Sequence, residues 1–264
     1  MVKDKQTIFQ KRKIAYFTVF SSILALYILS SIVTEFKLTD GVMAFPEAAS
    51  WIVHKFVPDA KAFTRFPKIM DRLLETALLS VAVTSIATVV AFIFSLFGSR
   101  TLKSHGILNQ AVRMTAAFFR NVPDVVWAML LMFSFGQNIL TGFLALFFST
   151  FGMLTRSFIE TIDEVSSACV EALDATGANF AQIVFQGVIP STVTALITWA
   201  LYMIETNIRS ATLIGILTAT GIGYLFDMYY KRLEFGSASL VVICIVVLVI
   251  IIENISNKLR KVIS

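Results

Sequence analysis

Six runs of apolar residues, separated by short polar segments, most strongly restrict what this chain can fold into. A helix needs about 20 apolar residues to cross the roughly 30 Å hydrocarbon core of a bilayer. The runs occupy residues 14–33, 73–97, 120–136, 139–154, 192–217 and 239–252. A mean hydropathy of +0.80 and a charged fraction of 15% are typical of membrane proteins and exclude an ordinary soluble domain. The sequence therefore predicts an all-α polytopic membrane helical bundle with about six transmembrane helices.

One polar segment, residues 171–190, separates two of these runs, and we call it the signature segment. Acidic residues in and before it are 4, 7 and 3 positions apart, so a single helix would place them on one face. They are Glu160, Glu164, Glu171 and Asp174. Apolar residues at similar spacing mark the opposite face: Phe158, Ile162, Val165, Cys169 and Ala172. The pattern predicts an amphipathic helix with an acidic face pointing outward.

Capping residues predict where the helices of this region begin and end. Ser157, followed by an acid three residues later, fits a capping box at the start of the amphipathic helix. Gly177 is the expected stop, because glycine accepts the left-handed conformation of a helix end. Asn179 with Gln182 predicts a second short helix, and Pro190 fits the first turn of the next membrane helix. The expected product is a helix-turn-helix lying against the membrane.

The spacing of Glu171, Ala172, Gly177 and Pro190 resembles the signature loop of ABC importer permeases, E-A-A, three residues, G, nine residues, I-x-L-P. Three packing positions depart from that pattern: Leu173, Gly187 and Ile189. The resemblance implies a MetI-like permease fold whose cytoplasmic coupling helices dock into a cleft of an ATP-hydrolysing subunit. The residues implied for coupling are Glu164, Glu171, Ala172, Asp174, Gly177 and Pro190. An amphipathic cytoplasmic helix without a partner is the alternative.

Polar residues inside the apolar runs are the second informative feature. An ionisable group in the bilayer core costs about 2.5–3.5 kcal/mol on insertion scales, so such groups usually face a partner or a water-filled path. Glu205 and Arg209 are four residues apart and can pair on one helix face, whereas Asn207 points elsewhere. Asp124 is an isolated acid, and Arg120 precedes it by four residues. Two interpretations stay open: a structural Glu–Arg pair near the membrane surface, or the lining of a translocation path.

The same polar residues lie in two further motifs. Residues 120–128, RNVPDVVWA, resemble the R-x-x-P-D-x-x-W-A segment of phosphonate permeases. Residues 205–223 resemble their E-x-N-x-R-x-x-T-x-x-G-x-x-x-x-G-G-I-G pattern, with Thr220 in place of one glycine. Residues 174–178, DATGA, also suit that subfamily. We therefore identify the chain as resembling phosphonate-type ABC transporter permeases. Because the planar fork of arginine suits phosphate-like oxyanions, Arg120 and Arg209 are the candidate oxyanion contacts.

This resemblance implies a function and a set of partners. The function is ATP-driven import of phosphonate or a related phosphorus oxyanion. The partners are two ATP-binding subunits, a second permease copy or a paralogue, an extracytoplasmic phosphonate-binding protein and membrane lipid. Phosphate, phosphite or methionine are alternative cargoes of the same architecture. A stand-alone secondary carrier or a scaffold, with Glu205 and Arg209 as its polar site, is the more distant alternative.

The sequence contains no pattern typical of catalysis or of a resident cofactor. It lacks a phosphate-binding GxxxxGK[ST] loop and a Gly-x-Ser-x-Gly nucleophile elbow. His54 and His105 are far apart and outside any ligand cluster, so no metal site is predicted. Cys169 and Cys244 lie in different segments, and no disulfide is expected. The basic residues behind the net charge of +5 lie mostly in tails and loops, which favours membrane topology over nucleic-acid binding.

Charge distribution also predicts the topology. Basic residues at both ends indicate that the N- and C-termini lie in the cytoplasm, which requires an even number of spans in the cell membrane. The expected organisation is an N-terminal tail, uncleaved first span and linker over residues 1–70, a permease domain over 71–257 and a cytoplasmic tail over 258–264. Residues 35–71 are expected to be a polar external linker, and residues 98–113 a short cytoplasmic loop.

Overall fold

The computed structural model of the protein describes residues 2–102 and 106–263, and its described residues are almost entirely helical. Contacts divide the chain into two units between Lys55 and Phe56. The first unit contains two helices, α1 (Val2–Thr34) and α2 (Leu38–Lys55). Residues 9–34 of α1 are long and apolar enough to cross a membrane. The polar linker predicted over residues 35–71 is instead mostly helical, because it contains α2, a short helix over Ala60–Thr64 and the beginning of a long helix that starts at Phe66.

The second unit is a bundle in which ten helices are described. They are α3 (Ala60–Thr64), α4 (Phe66–Gly98), α5 (Gly106–Asn121), α6 (Asp124–Phe135), α7 (Ile139–Val165), α8 (Ser167–Ala175), α9 (Phe180–Gln182), α10 (Ile189–Thr218), α11 (Gly221–Lys231) and α12 (Phe235–Ile263). A π-helical turn, Ile183–Val188, joins α9 to α10. Helix α12 runs through the boundary that was predicted between the permease domain and the tail, residues 257 and 258, and continues to Ile263.

Within the described residues, five helices can cross a membrane, and a sixth crossing exists if α5 and α6 form one broken span. The two helices meet at a bend of 90°. With 12 residues, α6 is about 18 Å long, which is too short to cross the bilayer alone. Pro123 explains the break, because proline keeps the preceding residue, Val122, out of the helical conformation. The apolar run over residues 120–136 is therefore not a complete span by itself, and its helix begins after Pro123.

Helix α5 replaces most of the loop expected over residues 98–113. Its buried residues, Val112 and Ala116, are four positions apart, and most of its other residues are exposed. This narrow apolar stripe is sufficient for a surface-packed helix but too weak to predict a span from hydropathy. The loop prediction is wrong from Gly106 onward, while residues 103–105 lie outside the described residues.

Hydrogen bonds of one buried amide join the three central helices of the bundle. The side chain of Asn207 on α10 donates to Thr84 Oγ1 of α4 at 2.8 Å. It also bonds to Thr150 Oγ1 of α7 at 2.9–3.0 Å. All three side chains are buried. Interhelical hydrogen bonds of this kind compensate for the absence of water between membrane helices. Apolar layers that include Val83, Leu146, Phe151 and Met203 pack above and below them.

Small residues allow the helices to approach closely. A Cβ atom at Gly223 of α11 would lie 1.9 Å from the backbone oxygen of Thr212 on α10. A Cβ atom at Gly152 of α7 would lie 2.5 Å from the backbone nitrogen of Arg120 at the end of α5. Packing between membrane helices depends on such contacts, because lipid provides little hydrophobic drive for association. Gly152 therefore allows the end of α5, at Arg120, to lie against the midpoint of α7, thirteen residues from each end of Ile139–Val165.

We predict that Gly223→Ala lowers the free energy of unfolding by about 2 kcal/mol, because the backbones of α10 and α11 would have to separate. The measurement is thermal unfolding of the purified protein in detergent. Gly41→Ala in α2 is the matched control, since a Cβ atom there has no neighbour within 4 Å. Equal melting temperatures for the two variants would contradict the close contact at Gly223.

Candidate functional site

The signature segment folds as a helix-turn-helix at one end of the bundle. Helix α8 ends before Gly177, whose φ of +80° is left-handed. The amide of Gly177 donates to the Asp174 carbonyl at 3.0 Å, and the amide of Ala178 donates to the Leu173 carbonyl at 3.2 Å. These bonds satisfy carbonyls at the end of the helix, as glycine-terminated helices commonly do. The turn predicted at Gly177 is confirmed.

The second half of the segment also follows its sequence pattern. The Asn179 side chain accepts from the Gln182 amide at 2.9 Å, and the Gln182 side chain accepts from the Asn179 amide at 2.8 Å. This reciprocal capping box begins α9 as predicted. Pro190 lies in the first turn of α10, a position at which proline is favoured. The predicted cap and the predicted position of Pro190 are both confirmed.

The first half of the region differs from its prediction. Helix α7 runs through Ser157, which is buried and does not begin a helix. The chain breaks instead at Ser166, whose hydroxyl donates to the Ile162 carbonyl at 2.6 Å. The acids therefore lie on two helices: Glu160 and Glu164 on α7, and Glu171 and Asp174 on α8. Side chains expected on the apolar face are divided between buried (Phe158 and Ile162) and exposed (Val165, Cys169 and Ala172). The single amphipathic helix is thus wrong, although all four acids are exposed.

A small apolar cluster fixes the signature segment to the bundle. Val170 is the buried residue of α8. It packs in a cluster with Leu102, Ile162, Ile183 and Val188. The exposed residues of the segment include Glu171, Asp174 and Phe185. An exposed aromatic ring on a fixed turn is typical of surfaces that bind another protein, where aromatic side chains are enriched.

Asp163 was missed by the sequence analysis, yet its carboxylate organises this end of the bundle. Oδ1 accepts from the Ser99 hydroxyl at 2.6 Å and from the amides of Arg100 and Thr101 at 2.9 and 3.2 Å. Oδ2 accepts from Arg113 at 2.7 Å. We call these five residues the Asp163 cluster. They join the end of α4, the middle of α5 and the end of α7. Sequence spacing gave no signal, because the partners of Asp163 are 50 to 64 positions away.

The candidate path residues Arg120 and Asp124 flank the break between α5 and α6. The Arg120 side chain is exposed, and within the described part of the chain it makes no hydrogen bond or ion pair. Asp124 begins α6 and accepts from the amide of Val125 at 2.9 Å. The two side chains therefore carry opposite charges at a helix discontinuity halfway along α7. Discontinuous helices in membrane proteins often expose backbone groups to a ligand.

The second candidate pair lies on α10. Arg209 donates to Glu205 at 2.9 Å, which confirms the pairing predicted from their spacing. Arg260 of α12 approaches the same carboxylate at 4.0 Å. The Arg209 side chain is 54% exposed, whereas Glu205 is 14% exposed. Asn207 points into the bundle, so α10 presents one polar side chain to its neighbours and another outward.

A third polar cluster lies at the other end of α4. Arg65 forms a two-pronged ion pair with Glu234, donating to Oε1 at 3.0 Å and also to Oε2. Its guanidinium lies 4.8 Å from the ring centre of Tyr229. These contacts connect the start of α4 to α11 and to the residue before α12. The hydrogen bonds from Arg65 hold the pKa of Glu234 below its ordinary value of 4.5.

The described residues contain no group of three or more His, Cys, Asp or Glu side chains that could hold a metal ion. His105 lies outside the described residues, so the structure says nothing of it. Cys169 is exposed and Cys244 is buried, each as a free thiol.

Comparison with known proteins assigns this helical bundle to a class of membrane transport components. Residues 87–261 match the family described as "Binding-protein-dependent transport system inner membrane component". Since the match covers well over half of the chain, the chain belongs to this family. Its fold is similar to that of the inward-facing MetNI methionine ABC transporter, with a TM-score of 0.61 and 19% identity over 75% of this chain and 98% of that one. The MetI-like fold predicted from the signature segment is confirmed.

Three curated relatives narrow the comparison to permeases named for phosphorus compounds. The Escherichia coli "Putative cryptic phosphonate transport system permease protein PhnE2" is 35% identical over 45% of this chain and 97% of its own length. The Stutzerimonas stutzeri "Phosphite transport system permease protein PtxC" is 27% identical over 82% of this chain and 78% of its own length. The Mycolicibacterium smegmatis "Phosphate-import permease protein PhnE" is 27% identical over 71% of this chain. The chain spans only 35% of the length of that protein.

The Arg65–Glu234 ion pair predicts a dependence of stability on pH. Because the pKa of Glu234 is lower in the folded than in the unfolded protein, the stabilisation is complete above pH 4.5 and is lost as the pH falls through the lower folded-state pKa. We expect Glu234→Gln to lower the melting temperature at neutral pH and to reduce its fall between about pH 5 and about pH 3. Glu75→Gln, which breaks a pair within α4, is the control and should follow the parent protein. Parallel acid profiles for the parent and Glu234→Gln would contradict the role of this pair.

Proposed function

We propose that the chain is the permease subunit of an ATP-driven importer that moves phosphonate or a related phosphorus oxyanion across the cytoplasmic membrane. The observation that carries this proposal is the signature segment, in which Gly177 turns an acidic helix-turn-helix outward at one end of the bundle. The family and the fold support the transport component, and the relatives named for phosphonate, phosphite and phosphate support the cargo class.

The chain needs partners for this function. Two ATP-binding subunits would supply the hydrolysis, for which this sequence has no phosphate-binding loop. Their docking surface would be the exposed side of α8 and α9, with Glu171 and Asp174 facing basic or polar groups. A second permease copy, or a paralogue, would complete the path, and an extracytoplasmic binding protein would deliver the cargo. We place both termini and the signature segment in the cytoplasm.

Movement of the signature segment would open and close the path. The segment continues through the π-helical turn directly into α10, so a displacement at the ATP-binding subunits is applied to the start of that helix. The docking part is shorter than the sequence suggested. It begins at the Ser166 break, because α7 continues as one helix to Val165. Glu164 would then lie at the edge of the docking surface.

Arg120 and Arg209 would line the path for an oxyanion. Each is exposed on the bundle, and Arg120 makes no ion pair within the described residues. An arginine without a partner in the bilayer core costs several kcal/mol unless it reaches water or an anion. Its planar fork can donate two parallel hydrogen bonds to a phosphorus oxyanion. Glu205, which pairs with Arg209, would neutralise that arginine between transport cycles.

We predict that Gly177→Val uncouples ATP hydrolysis from uptake. A β-branched residue is strongly disfavoured at a φ of +80°, so the turn between α8 and α9 would change shape. ATP hydrolysis by the purified complex is expected to continue, while uptake falls by about tenfold or more, a barrier change of at least ~1.4 kcal/mol.

Gly177→Asn is the matched control, because asparagine tolerates the left-handed conformation. It should retain most of the uptake. Normal uptake by the Gly177→Val protein would remove the turn from the coupling mechanism.

We also predict that Arg120→Gln prevents growth of cells in which this complex is the sole importer of phosphorus. The parent protein should support growth on methylphosphonate, phosphite or phosphate as the only phosphorus source. The Gln variant should reach the membrane and assemble, but lose the charge that attracts the oxyanion. Uptake of the radiolabelled compound is the measurement.

Arg120→Lys tests the geometry, since it keeps the charge without the planar fork, and uptake between the two extremes is expected. Transport of methionine but of none of the three phosphorus compounds by the parent protein would reject the proposed cargo.

A further inference from the structure

The Asp163 cluster lies between the two regions to which the proposed function assigns roles. On one side, Leu102, which follows Thr101 of the cluster, packs with Val170 of α8 and with Ile183 of the signature segment. On the other side, Arg113 is seven residues before Arg120 on α5, a distance of about 10 Å along a helix. The cluster therefore connects the docking end of the bundle to the helix that carries the candidate oxyanion contact.

Helix α5 is fixed at two points along its length. Near its middle, Arg113 bonds to Asp163 at 2.7 Å and to the Gly98 carbonyl at 2.9 Å. Asn109 donates to the same carbonyl at 2.6 Å. At its end, the backbone contacts Gly152 so closely that no Cβ atom fits between them. A helix held in this way moves as one body, so a displacement at Arg113 also displaces Arg120.

The chemistry of the cluster suits the transmission of movement. Asp163 accepts bonds from donors on α5 and on the chain after α4, and two of these donors are backbone amides. Charge-assisted hydrogen bonds are short, strong and directional. The Arg113 and Asp163 side chains are only 18% and 25% exposed, so salt screens their pair less than a surface pair. An apolar contact in the same place would allow the helices to slide past each other.

We infer that Asp163 and Arg113 are positioning residues that transmit the ATP-driven displacement of the signature segment through α5 to Arg120. This inference rests on the proposed function. It also explains the broken span, because the bend between α5 and α6 allows Arg120 to change position while α6 stays packed against α7. Neither Asp163 nor Arg113 touches the cargo.

The test uses the permease–ATPase complex in lipid nanodiscs with spin labels at two separate positions. One label is on Cys169, which is exposed, while the buried Cys244 is replaced by alanine. The other is on Ala117→Cys, an exposed position of α5 three residues before Arg120, in a protein without the other cysteines. The spectrum of each label is recorded before and after trapping with ATP and orthovanadate. Methylphosphonate uptake and ATP hydrolysis are measured on the same preparations.

In the parent protein, both labels should change on trapping. In Arg113→Gln, the label on Cys169 should still change, the change at position 117 should fall by at least half, and uptake per ATP should fall about fivefold. Asp163→Asn is the second variant, because its remaining oxygen can still accept from the backbone amides while its amide opposes Arg113. The matched control is Arg156→Gln, which breaks an ion pair of 2.6 Å within α7 and should behave like the parent.

Three results would overturn the inference. A normal response at position 117 in both variants would show that α5 moves without the cluster. A parallel fall in melting temperature, hydrolysis and uptake, with uptake per ATP unchanged, would assign the cluster to stability alone. A parent protein in which neither label responds to ATP and orthovanadate would reject the proposed function itself, and with it this inference.

Discussion

The bilayer core offers no water to polar groups, and this constraint governs the placement of almost every polar side chain in the bundle. Asn207 satisfies it with two threonines, one on α4 and one on α7, and thereby fixes the three central helices against one another. Serine and threonine hydroxyls along α4 bond back to their own helix, as Ser80 and Thr84 do. Among the described residues, the hydroxyls of Thr88 and Thr155 are buried without a hydrogen-bond partner and are exceptions to this rule.

The break between α5 and α6 is a place where a charged side chain, without an ion-pair partner in the described part of the chain, lies beside the bundle. Pro123 interrupts the helix, and Gly152 allows the interrupted end to lie against the middle of α7. Arg120 is thereby placed against the middle of α7 without an ion-pair partner among the described residues, whereas the charged groups of the Asp163 cluster and of the Arg65–Glu234 pair have partners. The proposed translocation path rests on this contrast.

Local sequence signals were sufficient for much of this structure. Hydropathy identified five spans, and the residues at Gly177, Asn179 and Pro190 act on neighbours within a few positions, so their geometry could be predicted. Two other features could not be predicted from local signals. The break at Ser166 lies within a stretch whose periodicity suits one long helix, and no local signal shows that Val170 of α8 packs with Leu102 and Ile183. Asp163 depends on donors that are more than forty residues away, and no spacing rule connects them.

The short α6 has a consequence for the lipid around the protein. A helix of about 18 Å covers little more than half of a hydrocarbon layer of roughly 30 Å, so annular lipid beside it would face a hydrophobic mismatch. The membrane would have to thin along that side of an isolated copy. In the proposed complex, a second permease that covered the same side with its own helices would remove this mismatch.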